Sequence, residues 1–270
     1  MKKIQIKLSY KGGDADLHRL DMYDASVSLH GFARAIAITT HALLNDGEVK
    51  RKGNRASGAK VFVSPPQKGS YEQIITVLIE NKEAIGTSVV AAAFWDILKW
   101  TWSKTLDLVH EPETSTVKKF GERIEPFIGD MEEVLESALE EAHRPIKNNP
   151  NITIDVTRPR VGQVIEMNSE TLKSVSIYTD DNIITSINGN VTKYNILSGI
   201  GRFYEDQKRR TVSFKIPENA TENMRKRVTW SMHHAQGGEG EGKIEFHARR
   251  VLSAKGTLKR YLIEKVLAQK

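Results

Sequence analysis

From residue 174 to residue 268 the apolar residues change period in a fixed order, and this constrains the fold more than any other feature of the chain. "IITSINGNVTKYN", "GIGRFYED" and "RRTVSFKIP" alternate apolar and polar residues and read as three strands. The first is long and interrupted at Gly189, where a bulge is expected. "ENATENMRKRVTWSMHHA" then brings polar capping residues, followed by Met224, Val228 and Met232 at helical spacing. "GKIEFHARRVLS" and "TLKRYLIEKVLA", hinged at "AKG", supply two more strands. In the third strand Val212, Phe214 and Ile216 are expected to face a core, and Thr211, Ser213 and Lys215 to face away from it.

Charge divides along the same line. Residues 193–270 hold 17 Lys and Arg against 8 Asp and Glu, whereas residues 1–192 hold 23 against 26. A basic excess confined to one part of a chain suggests an anionic partner for that part. Three strands, a helix and two strands is also the chain order of the OB-fold, and residues 174–268 resemble such a five-stranded barrel. The resemblance implies binding of nucleic acid, nucleotides or another polyanion across the second and third strands. On this sequence it points to Arg202 and Tyr204 on one face of the second strand, to Lys208, Arg209 and Arg210 at the turn, and to Lys215 on the third. Cations would follow the phosphates and Tyr204 would offer a stacking surface. The alternative is a structural or oligomerising barrel.

The expected fold class is therefore α+β: a helical front with a β-hairpin over residues 1–148, then an OB-like, β-rich basic domain over 149–270. "RPIKNNPN" marks the boundary. At the start, Ile4, Ile6, Leu8 and Tyr10 alternate with polar residues as in a half-buried strand. "KGGDAD" supplies a turn, and Leu17 to Met22 is read as the returning strand of the hairpin. Asp24 is expected to cap the next helix, along which His30, Arg34 and His41 form a polar stripe turned to solvent. A strand at Lys60 to Ser64 should end at Pro65 and Pro66, with helix from Ser70 to Val109, broken near "ENKEAIG". Pro126 opens a further helix with Phe127, Met131, Val134, Leu135, Ala138 and Leu139 inward and Glu132, Glu133, Glu136, Glu140 and Glu141 outward. "YKGGDADLHRLDMYDASVSLHGFARA" is similar to the start of uncharacterised bacterial and phage-associated proteins, which implies a prokaryotic or mobile-element setting such as antiviral defence and no activity.

Three functional classes follow. The first is a non-catalytic binding protein for a polyanion, with no cofactor. The second is a membrane-acting effector using the helix around Trp95, Leu98, Trp102, Leu106 and Val109, although Asp96 and Asp107 offset Lys99 and Lys104 there and a buried core helix is the simpler reading. The third is a metal-dependent enzyme using Asp14, Asp16 and His18, set against a plain turn-and-cap role for these residues. Phosphate-binding loops, dinucleotide fingerprints and nucleophile elbows are absent from the sequence. The chain has no cysteine, its first residues alternate instead of forming an apolar run, and "AIGTSVVAAAFW" falls short of the roughly 20 residues of a spanning helix. These features predict a cytoplasmic protein. A homo-oligomer or a protein partner held through the front domain is compatible with them.

Overall fold

The computed structural model describes residues 2–50, 55–64, 71–80, 89–122, 127–237 and 240–268. The chain forms two units, Met1–Ser176 and Ile177–Lys270. Pro65, Pro66, Pro126 and most of "ENKEAIG" lie outside the described residues.

In the first unit β1 (Lys2–Lys11), β2 (Ala59–Val63), β3 (Glu72–Ile79), β4 (Thr153–Arg158) and β5 (Gly162–Met167) make one sheet in the order β2-β3-β1-β4-β5. Every neighbouring pair is antiparallel. Ile4, Ile6, Leu8 and Tyr10 of β1 are buried, as their alternation predicts. They share one core with α1 (Met22–Leu44), α2 (Val89–Thr105) and α4 (Phe127–Ala142); α3 (Ser115–Gly121) and α5 (Arg144–Asn148) are short neighbours of α4. The α+β class and the helical front hold as expected, and the helices pack on a five-stranded sheet.

Three local expectations fail for definable reasons. Leu17 to Met22 forms no strand: Gly13–Leu17 is a short 3-10 helix, and α1 starts at Met22. The Asp21 carboxylate accepts from the Tyr23 and Asp24 amides, so Asp21 is the cap and not Asp24. Asp24 is buried in the first turn, held by Arg144 and Asn148. The stretch "EQIITVLI", expected to be helical, is β3, running between β1 and β2. An apolar run covered on both sides carries no period that separates strand from helix.

The polar stripe of α1 does not face open solvent along its length. His30 Nδ1 lies 2.9 Å and Arg34 Nη1 2.7 Å from the two carboxylate oxygens of Glu141 on α4. His41 is buried, its Nδ1 accepting from the Ser57 amide. Gly31 lets the helices approach, because a Cβ there would strike the Ala138 carbonyl and the Ala142 amide of α4. Glu136, expected on the outer face of α4, is buried.

Residues 149–176 belong to the first unit, so the boundary lies after Ser176 and not at 148. β4 pairs with β1, and α6 (Ser169–Val175) is capped by Asn168 and fastened inward. Ser174 Oγ donates to the Leu106 carbonyl at 2.9 Å. His143 is enclosed between α4 and α6: its Nδ1 donates to the Leu139 carbonyl at 2.6 Å, and its Nε2 lies 2.8 Å from Thr171 Oγ1.

Burial pushes the His143 imidazole down to about 4. Between pH 6.5 and 4 the unfolded chain therefore binds a proton that the folded chain does not, and acid favours unfolding there. Stability is expected to fall by about 1.4 kcal/mol per pH unit through that window, about 3 kcal/mol in all, and to be unaffected by this group above it. Urea unfolding at pH 7 and pH 5 measures the slope. A His143→Gln protein with the parent's pH slope would assign the effect elsewhere.

The second unit is a closed barrel of β6 (Ile177–Asn195), β7 (Ile200–Glu205), β8 (Arg210–Lys215), β9 (Ile244–Ser253) and β10 (Leu258–Ala268). Neighbours follow the circuit β6-β7-β8-β10-β9 and back to β6, with β8 and β10 parallel and the other pairs antiparallel. α7 (Glu222–His234) connects β8 to β9. This is the strand circuit of an OB-like barrel, as the chain order predicted. Phe203, Phe214, Phe246 and Tyr261 fill its interior. Val212, Phe214 and Ile216 point inward as expected. The bulge of β6 is displaced from its expected place, for the register shifts between Val191 and Lys193. Gly189 serves close approach instead, since a side chain there would collide with the Tyr204 carbonyl.

Candidate functional site

β7 and β8 present the face that the sequence singled out. Phe203 pairs with Val212 inside the barrel, so the alternate pairs, Arg202 with Ser213 and Tyr204 with Thr211, lie outside. Register carries the first pair across four strands: Lys193 of β6, Arg202, Ser213, and Arg260 of β10. Three cations thus flank one serine. Arg202 is only 6% exposed, packed between its neighbours, whereas Tyr204 is 39% exposed. Tyr204 is the available aromatic surface, and Arg202 is buried.

The turn divides the three basic residues that the sequence treated alike. Glu205 follows the inward parity of Phe203 and is 2% exposed, so its carboxylate sits within the barrel end. Tyr261 Oη donates to it at 2.9 Å. Lys208 Nζ lies 2.9 and 3.0 Å from its two oxygens and 2.6 Å from Tyr261 Oη. Burial, reinforced by Glu205, pushes the Tyr261 phenol well above its ordinary range and keeps it a donor. Lys208 is therefore the countercharge of a buried carboxylate. The signal was present in the sequence, in the two-residue step from Phe203 to Glu205. Arg209, at φ 50, and Arg210 project from the same turn and are exposed, as is Lys215 at the far end of β8. Among the described residues no ion pair or side-chain hydrogen bond engages these three.

The opposite flank is arranged differently. There Arg249 pairs with Glu264 at 2.9 Å, Arg250 with Asp180 at 2.7 Å, and Glu245 holds both Ser186 and His247. These two hydrogen bonds hold the Glu245 carboxyl below its ordinary range. Among the described residues, Arg209, Arg210 and Lys215 thus stand without a carboxylate partner on β8 and its preceding turn, as Lys255 and Lys265 do on β10 and the turn before it. Sequence reasoning missed Ile196 and Leu197, 64% and 98% exposed in the β6–β7 loop beside Lys215. Their only signal was an apolar pair inside a turn.

The other candidates are placed as follows. Asp14 pairs with Arg19 at 3.0 Å, Asp16 accepts from the Gly12 amide at 2.8 Å, and His18 ends the 3-10 helix at φ 59. Among the described residues no group of three or more His, Cys, Asp or Glu is gathered as metal ligands. Trp95 and Trp102 belong to the first core, and no described helix is long and apolar enough to cross a membrane.

Residues 6–176 match the family described as Domain of unknown function (DUF7946), and residues 184–267 match the Family of unknown function (DUF7947). No curated protein matches the chain. Among solved structures, the crystal structure of the ferredoxin protease FusC E83A mutant in complex with Arabidopsis ferredoxin is 9% identical, with a TM-score of 0.21. That alignment covers 78% of this chain and 28% of the other, and at this score it bears on neither fold nor function.

Proposed function

From the premise that the chain belongs to the DUF7946 family, we propose that it is a non-catalytic binding protein for a polyanion, nucleic acid or nucleotide, held on the β7–β8 face of the barrel. The observation that carries this reading is the combination of exposed, unpaired cations with an exposed aromatic ring on the same two strands. Arg209 and Arg210 stand exposed at the Tyr204 end of β7–β8 and Lys215 at the other end, whereas Arg249 and Arg250 on β9 are matched by Glu264 and Asp180. Along a six-residue strand such as β7 this track runs roughly 20 Å, a few nucleotides of single strand. Phosphates would meet the cations at the two ends, and a base would lie on Tyr204 between them. A cytoplasmic setting in prokaryotic antiviral defence or a mobile element belongs to the same proposal and rests on the N-terminal resemblance alone.

The test is fluorescence anisotropy of labelled single-stranded DNA and RNA at several salt concentrations. Tyr204→Ala should weaken binding by about 1–3 kcal/mol and leave the salt slope in place, because stacking releases no counterions. Failure of the parent to bind either strand at low salt would end the nucleic-acid reading.

A further inference from the structure

A cavity of about 340 Å³ opens in the first unit where the start of β1, the β4–β5 turn and the first turn of α2 meet. Its wall carries Lys2, Lys3, Arg158 and Arg160, and no carboxylate. The Arg158 guanidinium lies over the ring of Trp95, 6.0 Å from its centroid, which fixes one cation at the rim. Among the described residues none of the four enters an ion pair. Lysines elsewhere in this sheet are matched: Lys7 with Glu72, Lys11 with Asp155 and Lys60 with Glu80. Lys2 and Lys3 are successive residues of a strand and project to opposite faces, so they flank the two arginines, and an anion placed at this wall meets positive charge and no carboxylate. The backbone adds a second observation. Arg160 holds φ 65 in a turn closed by the Val161 amide and the Arg158 carbonyl, a conformation that glycine or asparagine adopts at lower cost.

We propose that this cavity binds a small phosphate-bearing anion, with Arg158 and Arg160 as planar two-point donors and Lys2 and Lys3 as point charges. Its volume falls within the range of small-ligand sites. The first turn of α2, at Ala91, brings the positive end of a 17-residue helix to the same wall. Two sources carry this chemistry: inorganic diphosphate, and the phosphate of a nucleoside monophosphate. The site lies in the other unit from the barrel face and does not depend on the reading of that face.

Isothermal titration of the full chain at low ionic strength, with sodium diphosphate, adenosine 5′-monophosphate and adenosine, tests it. Diphosphate or the monophosphate should bind and adenosine should not, and the tighter of the two identifies the source. Arg158→Ala with Arg160→Ala should weaken binding at least tenfold. Arg160→Gly is the decisive variant: it relieves the positive φ while removing the cation. It should bind at least threefold more weakly with a melting temperature equal to or above the parent's. Arg209→Ala, Arg210→Ala and Lys215→Ala together should leave this binding unchanged. Absence of heat with both phosphates, full affinity in the Arg160→Gly protein, or loss of binding in the barrel variant would each overturn the proposal.

Discussion

Replacing Arg209, Arg210 and Lys215 together by alanine is expected to weaken single-stranded oligonucleotide binding about 100-fold near 0.1 M salt. Each phosphate contact on a single strand contributes roughly 0.7 to the slope of log affinity against log salt, so three contacts amount to about 2. The same titration should show the slope reduced by that amount. All three side chains are exposed and none contributes to the barrel core, so the folded state should persist. Lys208→Ala is the informative control. Its ammonium is held by Glu205 and Tyr261, so its loss should lower the stability of the barrel and leave the salt slope close to the parent's. Unchanged affinity in the triple variant, with an intact circular dichroism spectrum, would remove the β7–β8 face from any interface.

Trp102→Ala should destabilise the first unit by about 3–5 kcal/mol, in the range for deleting a large buried aromatic side chain. Trp102 is fully buried, stands 6.1 Å from Phe32 between ring centroids, and donates from Nε1 to Thr39 Oγ1 at 3.0 Å. The deletion leaves a cavity between α1 and α2, which packing around a fixed sheet cannot fully close. Urea unfolding read by circular dichroism measures the loss, and a change below about 1 kcal/mol would contradict the interior placement. The same burial turns the tryptophan stripe away from any lipid surface in the folded state.

What could be read from the sequence depended on how each segment is covered. Strands β6 to β10 enclose one apolar interior, so Val212, Phe214 and Ile216 alternate with polar Thr211, Ser213 and Lys215 and the pattern is plain, although Ser213 is itself buried. β3 lies between two strands with Thr76 buried on the other side of the sheet from Ile75 and Val77, and its apolar run hides its period. The boundary after Ser176 depends on β4 finding β1, about 150 residues earlier in the chain, a pairing that no local signal announces. The strands that carry the candidate face were legible, whereas the burial of Arg202 and the pairing of Lys208, which depends on Tyr261 arriving from β10, were not. The basic cavity was not legible, since Lys2 and Lys3 meet Arg158 and Arg160 only through the same β1–β4 pairing.

The parallel pairing of β8 with β10 also makes one strand the closure of the barrel. Before Leu258–Ala268 is in place, β8 has β7 on one side only and β9 has β6 on one side only. Both then present rows of unsatisfied amides and carbonyls, the surface on which strands of separate chains join. One segment closes both at once. Without β10 the barrel carries two adhesive edges, and the docking of that one strand is what keeps one copy from pairing with the next.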